Sequence, residues 1–66
     1  MEEEEKLRKK LEELRSEHRD LDSIIERLHE AQPVDFLQLQ RMKKRKLLVK
    51  DMIIKIEGML LPDIIA

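Results

Sequence analysis

The chain of 66 residues has no cysteine, tryptophan or tyrosine, and only one glycine, two prolines and one phenylalanine. Without cysteine, the chain can form neither disulfides nor thiolate metal sites. A single glycine also excludes a glycine-rich loop that would hold a phosphate. We find no paired-carboxylate motif and no Ser–His–Asp grouping. The sequence therefore predicts no enzyme, no cofactor and no metal site.

Long hydrophobic runs are also missing. The most apolar stretch, residues 52–66, is interrupted by charged residues, by Gly58 and by Pro62, and it is too short to cross a bilayer. The chain begins with Met and four Glu rather than with the basic and apolar residues of a signal peptide. We therefore expect a cytoplasmic location.

Charge is abundant but unevenly distributed. Charged residues make up 44% of the chain, and the net charge is −1. Residues 1–35 hold 12 acids and 7 bases, a net of −5, whereas residues 36–66 hold 3 acids and 7 bases, a net of +4. An acidic helix attracts a basic one, so this asymmetry favours contact between the two halves over pairing of identical helices.

Two series of mainly apolar residues repeat in alternating steps of three and four. This 3.5-residue repeat is typical of a helix in a coiled-coil seam. If the chain folds back at Pro33, the two series face each other from Leu28 with Leu39 to Leu7 with Leu60. The sequence therefore predicts an all-α antiparallel two-helix hairpin. The first series is Leu7, Leu11, Leu14, His18, Leu21, Ile25 and Leu28, and the second is Leu39, Met42, Lys46, Val49, Ile53, Ile56 and Leu60.

Proline and capping residues predict where the helices end. Pro33 disfavours helix at Gln32 and marks the turn. Asp35 is a good N-cap for the second helix, and Gln38 follows it three residues later as in a capping box. We expect one domain over residues 1–66, with helix 1 over about 3–31, a turn over 32–35, helix 2 over about 36–61 and a tail over 62–66.

Helix 2 carries more apolar surface than one partner helix can cover. Apolar residues repeat every seven positions on both flanks of its seam, whereas helix 1 has only Ile24 as an apolar residue beside the seam. Because such a patch usually marks an interface, we predict a homo-oligomer, with a dimer favoured, in which helix 2 of one hairpin packs on helix 2 of another to form a four-helix bundle. An unidentified protein or a membrane surface is the alternative occupant. The predicted interface residues are Leu47, Met52, Ile54, Met59 and Leu61.

Six bases lie within residues 41–50, with no acid before Asp51. Such a run raises affinity for phosphates, although no aromatic residue accompanies it for base stacking. A solvated helix face with salt bridges is the simpler interpretation, in which Lys43 faces Asp22 across the seam. The residues that would contact nucleic acid or another anionic partner are Lys43, Lys44, Arg45 and Lys50.

Two polar residues interrupt the seam. We expect His18 to be half-buried and hydrogen-bonded to a neighbour; a metal site shared with Asp22, or a pH switch, is the alternative. Lys46 faces Leu21, and we expect its stem to cover that leucine while its ammonium reaches Asp22 or Glu17.

Several blocks of the chain are also familiar in combination. Residues 18–22 read His-Arg-Asp-Leu-Asp, residues 32–33 read Gln-Pro, residues 43–51 read Lys-Lys-Arg-Lys-Leu-Leu-Val-Lys-Asp, and residues 61–66 read Leu-Pro-Asp-Ile-Ile-Ala. At these separations they resemble the small bacterial YdcH-like family over residues 14–66. The resemblance implies a helical hairpin or coiled coil, a bacterial cytoplasmic setting and an assembly or adaptor role. It implies no catalytic residue, substrate or partner.

Three hypotheses for function follow from the sequence. The first is a non-enzymatic coiled-coil interaction module that self-associates through helix 2. The second is an accessory protein that contacts nucleic acid or an anionic membrane through residues 41–50. The third is an engineered scaffold built on a natural hairpin, because residues 1–13 form an unusually idealised helical segment.

Overall fold

Residues 2–60, which the computed structural model describes, form two α-helices joined by a short turn. Helix α1 spans Glu2–Glu30 and helix α2 spans Phe36–Leu60, against expected ranges of about 3–31 and 36–61. Arg15 pairs with Glu57, and Asp22, later on α1, pairs with Lys46, earlier on α2, so the helices are antiparallel. The predicted all-α helical hairpin is confirmed. The predicted tail, residues 62–66, lies outside the described residues.

The ends of α1 carry charges that suit the helix dipole. Glu2 to Glu5 occupy its first turn, where carboxylates favour the partially positive amino end. Arg27 and His29 lie in its last turn. The backbone N–H of Ala31 donates to the carbonyl oxygen of Arg27 at 3.0 Å, which satisfies one of the last acceptors of the helix.

The amino end of α2 is capped by Asp35, as the sequence predicts. The backbone N–H of Gln38 donates to Asp35 Oδ1 at 3.0 Å, and that of Leu39 donates to the Asp35 carbonyl oxygen at 3.0 Å. A side-chain oxygen in this position satisfies an N–H that has no partner within the helix. The cap therefore determines where α2 begins and how its first turn enters the hairpin.

The hairpin core is a cluster of Leu14, Leu21 and Val49. Val49 has an exposed fraction of 0%, the lowest of the core residues. Its predicted partner, His18, lies on α1 between the two leucines, so the cluster agrees with the predicted register. Leu11, nearer the amino end of α1, and Leu39, nearer the Pro33 turn, are also buried. Four partly buried residues of α2 pack against it: Met42, Met52, Ile53 and Ile56.

Neither helix in residues 2–60 contains a stretch both long and apolar enough to span a membrane. Charged residues recur at intervals of a few positions along the sequence of both helices.

Val49→Ala is expected to lower the free energy of unfolding by about 2 kcal/mol, because it removes two fully buried methyl groups and leaves a cavity. Leu47→Ala is the matched control, since Leu47 is an exposed apolar residue of the same helix. We expect the control to change stability by less than about 0.5 kcal/mol. Urea denaturation followed by circular dichroism, at one protein concentration, measures both. Equal losses in the two variants would contradict this assignment of the core.

Candidate interaction surfaces

Two ion pairs between the helices distinguish the two sides of the hairpin. Arg45 donates to both carboxylate oxygens of Glu17, from Nε at 2.7 Å and from Nη2 at 3.2 Å. The Lys46 ammonium forms an ion pair with the Asp22 carboxylate. Glu17 and Asp22 are five residues apart, about 140° around α1, with the buried Leu21 between their directions. The two pairs therefore lie on opposite sides of the seam, which we call the Glu17 side and the Asp22 side.

On the Glu17 side, both helices contribute apolar residues. Ile24 lies seven residues after Glu17 on α1. On α2, Leu48, Met52 and Met59 lie three, seven and fourteen residues after Arg45. Residues at these spacings share one face of a helix. This side therefore has apolar side chains from both helices, one from α1 and three from α2. We call its four residues the Met face: Ile24, Leu48, Met52 and Met59.

Most of the Met face is accessible in the single hairpin. Ile24, Leu48 and Met59 have exposed fractions of 38%, 50% and 64%. Met52 is half-buried, because it packs against the core cluster of its own hairpin. It therefore joins the intramolecular core to the exposed face, and it has less surface to offer a partner than the other three residues.

On the Asp22 side, a shallow groove of about 390 Å³ runs between the helices. Its apolar part is Ile25 and Leu47, and Leu47 is 65% exposed. Ile54, seven residues after Leu47, continues this line and is 55% exposed. We call this surface the lysine groove, and its lining residues are His18, Ile25, Lys43, Lys46, Leu47 and Lys50.

The charges of the lysine groove are only partly neutralised. Lys46 pairs with Asp22, and its hydrogen bond holds the pKa of the Asp22 carboxyl below its usual value. Lys43 and Lys50 form no ion pair with any carboxylate of residues 2–60. The predicted contact of the Lys46 ammonium with Asp22 is therefore confirmed, whereas the predicted contact of Lys43 with Asp22 does not form. Lys46 occupies the seam position beside Asp22, whereas Lys43 lies almost one turn closer to the Pro33 turn.

His18 lines the lysine groove, and its side chain is 26% exposed. Its Nδ1 lies 3.7 Å from Asp22 Oδ2, one turn along α1. Within residues 2–60, no group of three or more His, Asp or Glu side chains is arranged to hold a metal ion. The histidine is thus half-buried beside one carboxylate, at a distance too long for a direct hydrogen bond.

Residues 11–57 match a family described as a protein of unknown function, DUF465, which is the YdcH-like family. The chain belongs to the DUF465 family. No curated protein and no solved structure matches it. The match begins three residues before the predicted limit at residue 14, and it includes every residue of the lysine groove.

In this DUF465 hairpin the five predicted interface residues do not form one surface. Leu47 and Ile54 lie on the Asp22 side, whereas Met52 and Met59 lie on the Glu17 side. Leu47 and Met52 are five residues apart, about 140° around α2. Leu61 lies outside the described residues. A flat partner surface can therefore contact one pair or the other, but not both.

The four predicted anion-contacting residues are also divided. Lys43 and Lys50 line the lysine groove, while Arg45 is bound to Glu17 on the opposite side. Lys44 is exposed and lies outside the groove lining. Of the four residues, Lys43 and Lys50 thus lie on one surface, the lysine groove.

Sequence reasoning missed three residues of the DUF465 surface. Ile25 was expected only in the seam, yet it also lines the lysine groove. Phe36 and Leu37, at the start of α2, are 74% and 61% exposed. Both follow the Asp35 cap directly and fall outside the seam repeat, a signal that identifies them as surface residues.

The cross-helix ion pairs make stability depend on pH. Hydrogen bonds from Arg45 and Lys46 lower the pKa values of Glu17 and Asp22, so each pair stabilises the hairpin above the unfolded carboxyl pKa. That contribution is lost as the pH falls below the unfolded carboxyl pKa and through the lowered pKa of each group. We expect urea midpoints measured between pH 7 and pH 3 to fall less in Glu17→Gln with Asp22→Asn than in the wild type. Parallel pH curves for the two proteins would contradict this prediction.

Lys46→Leu is expected to raise the free energy of unfolding by about 1 kcal/mol, because a leucine at this seam position buries more apolar surface against Leu21. The lost ion pair with Asp22 is exposed and costs less than this gain. Thermal unfolding measures the difference, and Lys50→Leu, at a solvent-exposed position of the same helix, is the control. A lower melting temperature for Lys46→Leu would mean that the ion pair outweighs the apolar contact.

Proposed function

We propose that this DUF465 protein is a non-enzymatic coiled-coil interaction module that self-associates through the Met face. The observation that carries the proposal is the exposure of apolar side chains from both helices on one side of the folded hairpin. Ile24 on α1 and Leu48 and Met59 on α2 are all at least 38% exposed. Apolar residues at helical spacing on α2, with Ile24 of α1 beside them, form the kind of surface that packs in a four-helix bundle.

The small core supports association with a second copy. Only five apolar side chains in residues 2–60 are buried. Domains of this size usually need a further source of stability, such as disulfides, a metal or oligomerisation. The chain has no cysteine, so it cannot use a disulfide. A second copy of the chain supplies a matching face, and two hairpins joined in this way bury both Met faces in a dimer.

Charge indicates how two hairpins would be oriented. Helix α1 holds 11 acids and 7 bases, a net of −4, and α2 holds 2 acids and 7 bases, a net of +5. Neighbouring helices lie about 8–10 Å apart, close to the screening length of physiological salt. Contact of α1 with α2 of the other copy is therefore favoured over contact between like helices. The four helices then alternate in charge, with the two-fold axis parallel to the bundle.

The setting of the module is part of the proposal. We infer a bacterial cytoplasmic protein, on the resemblance of the chain to small bacterial YdcH-like proteins. The hypothesis of an engineered scaffold is now confined to the residues before the family match, which begins at residue 11.

Leu48→Glu with Met59→Glu is expected to convert the dimer into a monomer, because it places four carboxylates in the proposed interface. Leu47→Glu with Ile54→Glu adds the same charge to the opposite side of α2 and should leave the dimer intact. Sedimentation equilibrium over a wide concentration range, at low and high salt, measures the oligomer, and circular dichroism reports helicity.

The comparison of the two double variants decides the proposal. If the glutamates also unfold the hairpin, Leu48→Ala with Met59→Ala should still weaken the dimer at least about tenfold, which corresponds to about 1.4 kcal/mol. A monomeric wild type, or equal dissociation of both glutamate variants, would exclude the Met face as the site of self-association.

A further inference from the structure

We infer that the lysine groove is a second binding site, whose ligand is an acidic amphipathic helix of a protein partner. This inference goes beyond self-association, because the groove lies on the Asp22 side and the Met face on the Glu17 side of the hairpin. A dimer formed through the Met face leaves both lysine grooves accessible. The same hairpin can therefore hold its second copy and a partner helix at once.

The shape of the surface fits a helix. Two packed helices leave a groove between them, and the apolar face of a third helix is a recurring ligand of such grooves. Here the apolar contacts are Ile25 from α1 and Leu47 from α2. Leu47 projects from the groove with 65% of its surface exposed, so a partner leucine or isoleucine could cover it. Ile54 extends the same apolar line by two turns beyond Leu47.

The spacing of the lysines fits a helix as well. Lys43 and Lys50 are seven residues apart, about 10.5 Å along α2. Carboxylates seven residues apart on a partner helix have the same separation. An apolar residue between them would meet Leu47, which follows Lys43 by four residues and precedes Lys50 by three. The groove therefore presents base, apolar residue and base in the order that an acidic amphipathic helix complements.

Two lysines of the groove have no carboxylate partner within the described part of the hairpin, so they can pair with a group from outside it. Arg45 and Lys46 are already paired with Glu17 and Asp22. Lys43 and Lys50 have no carboxylate partner among residues 2–60, although they belong to a helix of net charge +5. A carboxylate placed against each ammonium, on a surface that also buries Leu47, would be better shielded from solvent than an ordinary surface pair.

The same features favour a protein helix over nucleic acid or a lipid surface. Nucleic acid binding depends on many phosphate contacts and, for single strands, on aromatic stacking. The lysine groove offers two lysines that lack an ion pair in residues 2–60, and its lining has no Phe, Tyr or Trp. A bilayer is planar, and an interfacial helix meets it with a protruding apolar face. Ile25 lies instead in a recess between two helices, which a planar surface does not reach.

The test uses a fluorescent synthetic peptide of about three heptads, with leucine along one helical stripe and glutamate at the flanking positions. Fluorescence anisotropy measures its binding to the full chain. Lys43→Glu with Lys50→Glu should weaken binding at least about tenfold, because two favourable pairs become repulsive. The matched control is Lys44→Glu with Lys55→Glu, which changes the net charge equally at exposed positions of α2 outside the groove. We expect less than about a threefold effect from the control.

Several outcomes would overturn the inference. Equal losses in the two variants would show diffuse charge attraction rather than a site, as would equal binding of a peptide with lysine in place of glutamate. No binding of the acidic peptide to the wild type would also overturn it. So would binding of duplex DNA or phosphatidylglycerol vesicles that depends on Lys43 and Lys50 when the peptide does not bind.

The groove and the dimer can be tested separately. Leu47→Glu with Ile54→Glu should abolish peptide binding and leave the dimer intact, whereas Leu48→Glu with Met59→Glu should abolish the dimer and leave peptide binding intact. If the hairpin proves monomeric but still binds the peptide through Lys43 and Lys50, self-association fails and the groove stands. If the hairpin is a dimer that does not bind the peptide, self-association stands and the inferred binding site in the groove fails.

Discussion

The contact of Val49 with Leu14 and Leu21 determines the register of the two helices, and the surface of the hairpin depends on that register. Val49 lies between leucines that are seven residues apart on α1, as a knob lies in a hole of a coiled coil. A slip of one residue would expose part of this core and move every flanking residue relative to the other helix. The ion pairs, the Met face and the lysine groove all require the register that this cluster holds.

The ion pairs between the helices act mainly on orientation. Arg45 with Glu17 and Lys46 with Asp22 are exposed to solvent, and pairs of this kind contribute little to stability. They do, however, remove two of the bases of α2 from its unpaired surface. The bases without an ion pair in residues 2–60 are where the proposed acidic partner would bind. In this hairpin the ion pairs thus contribute to the orientation of the helices, while apolar burial holds the fold together.

Helix α2 has three distinct surfaces. Its seam positions pack on α1, its Glu17 side carries methionines and a leucine, and its Asp22 side carries lysines around Leu47. This arrangement explains why α2 is less strictly amphipathic than α1: apolar residues occupy much of its circumference. In a monomer these residues would remain in water. The association that we propose would complete their burial, through two sides that differ in chemistry.

The hairpin, its register and the Asp35 cap could be predicted from the sequence, because a 3.5-residue repeat and a capping residue act over a few neighbouring positions. The grouping of the surface residues could not. The heptad spacing of Leu47, Ile54, Met52 and Met59 showed that they flank the seam, but it did not show that Met52 would turn inward to the core. Only the packed helices decided that Lys46 reaches Asp22 rather than Glu17, and that Lys43 does not reach Asp22, since this depends on which side chains lie opposite each other across the seam. The sequence by itself thus determined the fold, through periodicity along one chain. The tertiary structure decided which side chains meet, because contacts between helices depend on the distances between side chains of α1 and α2, which the periodicity of one helix does not give.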